Sequence, residues 1–162
     1  MALLEILTNQ NPVLRKISKP VAKVTKEIKK LVANMEETMK AAPGVGLAAV
    51  QVGELLRIIV ADVGEGVHVL INPKIIRKSG TQTFIEGCLS LPGIDAPVER
   101  ASKVLVKAMD LKGKWIQVEA SDLLATVFQH EIDHLDGKLF VDRVADPNLI
   151  TYKSKTPKEE AI

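Results

Sequence analysis

His130, Glu131 and His134 lie in the stretch QHEIDHLDG, residues 129–137. On a helix, residues four apart sit one above the other on a single face. Two imidazoles at that spacing can bind one metal ion, and the glutamate beside them can move a proton without ligating. A catalytic metal usually takes three protein ligands and keeps a further position for water, so the third ligand decides the chemistry. Peptidases with H-E-x-x-H keep theirs downstream. One pattern needs a histidine six residues after the second, but position 140 is Phe140. Another needs a downstream glutamate, and only Glu159 and Glu160 follow, in a polar tail. His68 falls within a strand pattern and reads as structural. Cys88, the single cysteine, lies upstream in EGCLSLPG. Gly87 before it permits close backbone approach, and Pro92 and Gly93 are expected to turn the chain soon after. Thiolate sulfur is a strong ligand for zinc or ferrous iron. The expected ligand set is Cys88, His130 and His134, with water completing it.

Several elements must position these residues. Residues 122–136 show helical spacing, with Asp122 or Ser121 to cap the start and Gly137 to stop the end. Leu124, Phe128 and Leu135 fall on one face; Leu123, Val127, His130 and His134 line the next. A second, amphipathic helix is expected over 25–41. Thr25 is its N-cap, and Ile28, Leu31, Val32, Met35 and Met39 share a face. Between the helices the pattern is strand-like. Residues 56–63 and 67–73 flank a hairpin at Gly64-Glu65-Gly66, and short strands are expected at 75–78 and 81–86 around Gly80. Residues 103–110 and 114–120 flank Lys112-Gly113. This order implies an α+β fold with mostly antiparallel sheets. One metallohydrolase domain is expected over 1–145. Residues 146–162 form a C-terminal tail whose last ten residues are expected to be mobile.

Composition fits a soluble globular chain of 162 residues with one core, 46% hydrophobic and 26% charged. No apolar run approaches the roughly 18 residues that span a bilayer, so no membrane association is expected. The start, MALLEILTNQ, has no basic n-region and is interrupted by Glu5. It reads as neither a secretory signal nor a transit peptide, and a cytoplasmic location is expected. A lone cysteine allows no intramolecular disulfide, in keeping with a reducing compartment. The formal net charge of +2 selects no partner and gives no reason to expect specific DNA binding. Lys23, Lys26, Lys29 and Lys30 recur at helical intervals and read as a solvated helix face.

Three blocks resemble those of the peptide deformylases in order and spacing: PGVGLAAVQVG (43–53), EGCLS (86–90) and QHEIDHLDG (129–137). NPVLRK (11–16), INP (71–73) and LFVDR (139–143) are also similar. The resemblance implies an α+β fold whose mostly antiparallel sheets wrap around a central H-E-x-x-H helix, and an enzyme that removes the formyl group from N-formylmethionyl peptides, with the ribosome near its exit tunnel as a further partner. It implies one divalent ion per chain, Fe2+ physiologically, with Zn2+, Ni2+ or Co2+ also able to occupy the site. Carried over residue by residue, Cys88, His130 and His134 are the ligands and Glu131 is the acid/base. The Gln51 side chain and the Leu89 backbone N–H are the oxyanion donors. Val45 and Gly46 would pair with the substrate backbone. Leu123 and Val127, exposed beside His130, are candidates for the methionine pocket. Glu86, Arg100 and Asp133 would support the ligands from behind. Two residues depart from the family pattern. Val50 replaces a common proline just before Gln51, and Asp122 stands where relatives commonly have glycine.

Overall fold

The computed structural model describes residues 2–9 and 11–152. The expected mobility of the last ten residues falls outside them. Helix α1 spans Lys26–Ala41, and the Thr25 side chain accepts from the Ile28 N–H as an N-cap does. Its apolar stripe includes Val32, Met35 and Met39, all buried. Helix α2 spans Asp122–Leu135. Every residue from Ala125 to Leu135 is buried, so this helix runs through the core rather than along its surface. Its N-cap is Ser121, without a side-chain cap bond. Asp122 instead takes a left-handed φ of 55°, a conformation that favours glycine. A glycine at this position would take that conformation without strain.

Among the described residues there are also eight strands: β1 (Gly46–Ala48), β2 (Ile58–Ala61), β3 (His68–Ser79), β4 (Gln82–Cys88), β5 (Leu91–Arg100), β6 (Lys103–Met109), β7 (Trp115–Ser121) and β8 (Thr151–Tyr152). They form a five-stranded sheet in the order β1-β2-β3-β6-β7 and a three-stranded sheet in the order β4-β5-β8. All pairings between strands are antiparallel. The five-stranded sheet lies between two apolar clusters. Ile59, Leu70, Val106 and Ala120 pack with α2 residues Val127, Phe128 and Leu135 on one face. Ile58, Val60 and Ile71 pack with Met35 and Met39 of α1 on the other. Alternating side chains of one strand therefore serve both clusters. The expected hairpins at 64–66 and 112–113 form, joining β2 to β3 and β6 to β7.

Two features differ from the sequence expectation. First, β3 runs unbroken across 67–73 and 75–78, with register shifts after Ile71 and Ile75. Asn72 causes the first irregularity with a φ of 53°, and its side chain is anchored by bonds to both the N–H and the carbonyl of Val21. Second, Pro92 and Gly93 do not turn the chain. The turn is Leu89-Ser90, and β5 carries both Pro92 and Pro97. These prolines are tolerated because β8 pairs only with Ile94 and Asp95, which leaves β5 an edge strand elsewhere. Beyond residue 145, β8 pairs with Ile94 and Asp95 of β5 and completes the smaller sheet.

Candidate metal centre

Two rigid elements and one tight turn meet at the centre. Helix α2 supplies His130, Glu131 and His134, and the end of β4 supplies Cys88. One ligand atom from each of Cys88, His130 and His134 lies within 4.8 Å of the others, and all three residues are buried. The Cys88 sulfur is 3.3 Å from His134 Nε2. A histidine pair at i, i+4 needs only the helix to align it. The cysteine is brought over by the β4–β5 hairpin, whose last pair is Cys88 with Leu91.

Electrostatics fit this donor set to a cation. Burial, and then the neighbouring charge of His130, hold the His134 imidazole well below its ordinary pKa, in the neutral form that ligates. Burial pushes the Cys88 thiol up, and Glu131 adds to this. A thiolate at that position therefore calls for a cation beside it. His130 Nε2 is buried without a hydrogen-bond partner, as are both carboxylate oxygens of Glu131. Buried polar atoms are rarely left so, and a divalent ion with its water would satisfy them. Burial, reinforced by the Glu86 charge, raises the Glu131 carboxyl well above the ordinary range.

Behind the ligands stands an ordered chain of charges. Glu86 accepts from His130 Nδ1 at 2.8 Å, which leaves Nε2 to face the centre. Arg100 grips the same carboxylate with two bonds, at 2.6 and 3.0 Å. It also reaches Asp133 at 3.0 Å, and Arg143 holds Asp133 from the outside with two more. Burial alone would raise the Glu86 pKa, but the bonds from His130 and Arg100 outweigh it and keep the carboxylate ionised. Glu86, Arg100 and Asp133 thus share one network, which spacing in the sequence does not reveal. Arg143 belongs to it too, and only LFVDR pointed there.

Gln51 lies in a short 3-10 turn (Ala49–Val52) after β1 and is fully buried. Its Oε1 accepts from the Ala48 N–H at 2.9 Å, so Nε2 must point the other way. Nε2 sits 3.6 Å from the Cys88 sulfur and 3.1 Å from Ser90 Oγ. Leu89, half-buried, occupies the turn between them. Ser90 is fully buried and was not singled out from the sequence; its place in EGCLS was the available signal. Val45 and Gly46 lead into β1, the terminal strand of the larger sheet. The Val45 carbonyl bonds back to Asp62, so by alternation the Gly46 backbone faces the open edge. Gly46 also lies against α2: a Cβ there would stand 2.5 Å from Glu131 Oε2 and 2.8 Å from Val127 Cγ1. Val127 is fully buried, so the expectation that it is exposed beside His130 is not met. It packs under Gly46 and within the core. Leu123 is half-buried. His68 stacks edge-on to Phe128 at 5.5 Å, away from the ligand set.

Comparison with known proteins agrees with this geometry. A family model described as polypeptide deformylase matches residues 3–149. A peptide deformylase of Carboxydothermus hydrogenoformans is 51% identical over 143 residues, covering 88% of this chain and 94% of that one. The crystal structure of a Thermotoga maritima peptide deformylase superposes with a TM-score of 0.87 at 43% identity, covering 89% and 99% of the two chains. That of an Ehrlichia chaffeensis peptide deformylase in complex with actinonin gives 0.88 at 40% identity, covering 90% and 91%.

Proposed function

The chain belongs to the polypeptide deformylase family, and from that premise we infer which of its residues perform the reaction. The enzyme is a metal-dependent hydrolase that removes the N-formyl group from nascent polypeptides. In our reading Cys88, His130 and His134 hold the ion, with Fe2+ as the physiological occupant and Zn2+, Ni2+ or Co2+ as substitutes. When bound, a divalent ion lowers the pKa of water enough to supply hydroxide near neutral pH.

The remaining work falls to side chains and backbone. Glu131 takes the proton from the attacking water and returns one to the departing amine. Its buried carboxyl, with neither oxygen engaged by the protein, is free to transfer a proton in both directions. Charge builds on the formyl oxygen as its carbonyl is attacked. Gln51 Nε2 and the Leu89 N–H donate to it, and Gln51 is already aimed by Ala48 and Ser90. The peptide lies along the open edge of β1 at Gly46, bonded through its main chain. Such bonds ignore side-chain identity, which suits an enzyme that must accept many nascent chains. Leu123 contributes to the methionine pocket. The Glu86–Arg100–Asp133 network fixes the His130 ring and its tautomer. The reading places the protein in the cytoplasm, where formylmethionyl chains leave the ribosome, with the ribosome as a partner.

The observation that carries this reading is the convergence of Cys88, His130 and His134 next to the unengaged Glu131 carboxylate. Anaerobically purified, iron-loaded protein should release formate from a formyl-Met tripeptide. Metal-loaded protein that yields no formate would overturn the assignment.

A further inference from the structure

The segment before the first 3-10 turn (Pro12–Arg15) is neither helix nor strand, yet its backbone is bonded at intervals along its length. Ala2 N–H donates to the Asn34 side chain at 2.8 Å, and Leu4 N–H to Thr38 Oγ1 at 2.9 Å. Asn34 and Thr38 are buried polar groups in α1; this segment donates to the Asn34 side chain and to Thr38 Oγ1, whose hydroxyl in turn donates to the Asn34 carbonyl. Further on, Leu7 N–H donates to the Gln51 carbonyl and Asn9 N–H to the Ser90 carbonyl, both at 2.7 Å. These two acceptors sit in different loops. One is the turn that carries the Gln51 amide. The other is the Leu89-Ser90 turn at the end of β4. Between the two loops themselves, the Gln51 Nε2 donates to Ser90 Oγ and makes a longer contact to the Cys88 sulfur, and Leu89 packs in the same apolar cluster as Ala49 and Val52.

We propose that residues 2–9 form a positioning strap, in which the Leu7 and Asn9 N–H groups fix the Gln51 loop and the Leu89-Ser90 turn relative to each other. This rests on the reading of Gln51 and Leu89 as oxyanion donors. Preorganised donors act only if their separation is held before the charge develops. Neither loop fixes that separation by itself, because the Gln51 turn follows the larger sheet and the Leu89-Ser90 turn belongs to the smaller one. The strap joins both to α1 by bonds that make no contact with the ion or the substrate. Its residues are therefore positioning residues, and they should act on kcat rather than on KM.

Two substitutions test this without touching the site. Leu7→Pro deletes one N–H donor. Asn9→Val places a β-branched residue at a φ of 56°, which it resists, whereas Asn9→Gly keeps both the N–H and the conformation. Complete loss of one donor costs on the order of 10²–10³ in rate, so a loosened one should cost about tenfold. Leu7→Pro and Asn9→Val should each lower kcat on a formyl-Met tripeptide by about that factor, with KM and metal content unchanged and Asn9→Gly near wild type. By NMR, the Gln51 side-chain amide protons of metal-free Leu7→Pro protein should exchange faster than in the wild type. In a Gln51→Ala background Leu7→Pro should cost nothing further. Asn9 is exposed, so its pair of variants decides the matter if Leu7→Pro unfolds. Equal losses in the wild-type and Gln51→Ala backgrounds would overturn the strap role. So would full kcat in both Leu7→Pro and Asn9→Val. Full kcat in Gln51→Ala alone would overturn the donor reading, and the strap with it.

Discussion

Gly46→Ala adds one methyl group beside the acid/base residue. Its Cβ would stand 2.5 Å from Glu131 Oε2, 3.0 Å from the Glu131 carboxyl carbon and 2.8 Å from Val127 Cγ1. Ordinary contact begins near 3.4 Å, so the carboxylate must retreat by about 0.9 Å, and a misplacement of roughly 1 Å at a reacting group costs about 10²-fold in rate. Val127 is fully buried and α2 is packed on all sides, so neither can yield freely. Overpacking of this kind costs about 1–3 kcal/mol. Formate release from a formyl-Met tripeptide should therefore show kcat lowered about 100-fold, with metal content unchanged because Glu131 is not a ligand. Adding Val127→Ala removes the aliphatic part of the clash but not the carboxylate part. It should recover stability and leave kcat low. A Gly46→Ala enzyme with kcat within about threefold of wild type and an unchanged melting temperature would refute the close approach on which this reasoning depends.

Three further outcomes follow from the same geometry. Glu131→Gln should keep its metal and lose about 10²–10⁴ in turnover, measured by formate release alongside metal analysis; retained activity would remove Glu131 from its role. Arg100→Met leaves Glu86 and Asp133 buried without their shared partner, and should cost about 3–5 kcal/mol in denaturant unfolding. A loss below about 1 kcal/mol would mean that the network does not hold the fold. Asp142 accepts two bonds from Arg15 and one from the Leu139 N–H. Burial alone would raise its pKa, but these bonds outweigh it and lower it. A depressed carboxylate contributes stability above its unfolded pKa of about 3.9 and loses it as pH falls through the folded value. Asp142→Asn should thus be less stable at neutral pH by under about 1 kcal/mol, given its partial exposure. That gap should close as pH falls through the folded value, and a gap that persists below both pKa values would refute the linkage.

Much of the site could be read directly because its chemistry is local in sequence. The i, i+4 histidines, the glutamate between them and the glycine stop at 137 all belong to one helix, and helical spacing alone aligns them. The Thr25 cap and the two hairpins followed for the same reason, each set by a few adjacent residues. Strand β5 was not legible, because Pro92, Gly93 and Pro97 imitate a turn and only an open edge makes them acceptable in a strand. The continuity of β3 was hidden by Asn72, whose bulge depends on Val21, 51 residues away. Pairing among Glu86, Arg100, Asp133 and Arg143 was hidden too, since charges from β4, β5, α2 and the turn after it meet only once the sheets are in place. Val127 shows the opposite error. It lies on the stripe of the ligands, yet Gly46 has no side chain, so β1 comes close enough to cover it.

The proposed metal centre requires Cys88 to be the third ligand rather than a buried bystander. X-ray absorption on the nickel- or iron-loaded protein tests this directly. One sulfur and two imidazole nitrogens in the first coordination sphere, with the sulfur absent in Cys88→Ser, are the predicted result. A wild-type spectrum with no sulfur scatterer would contradict it.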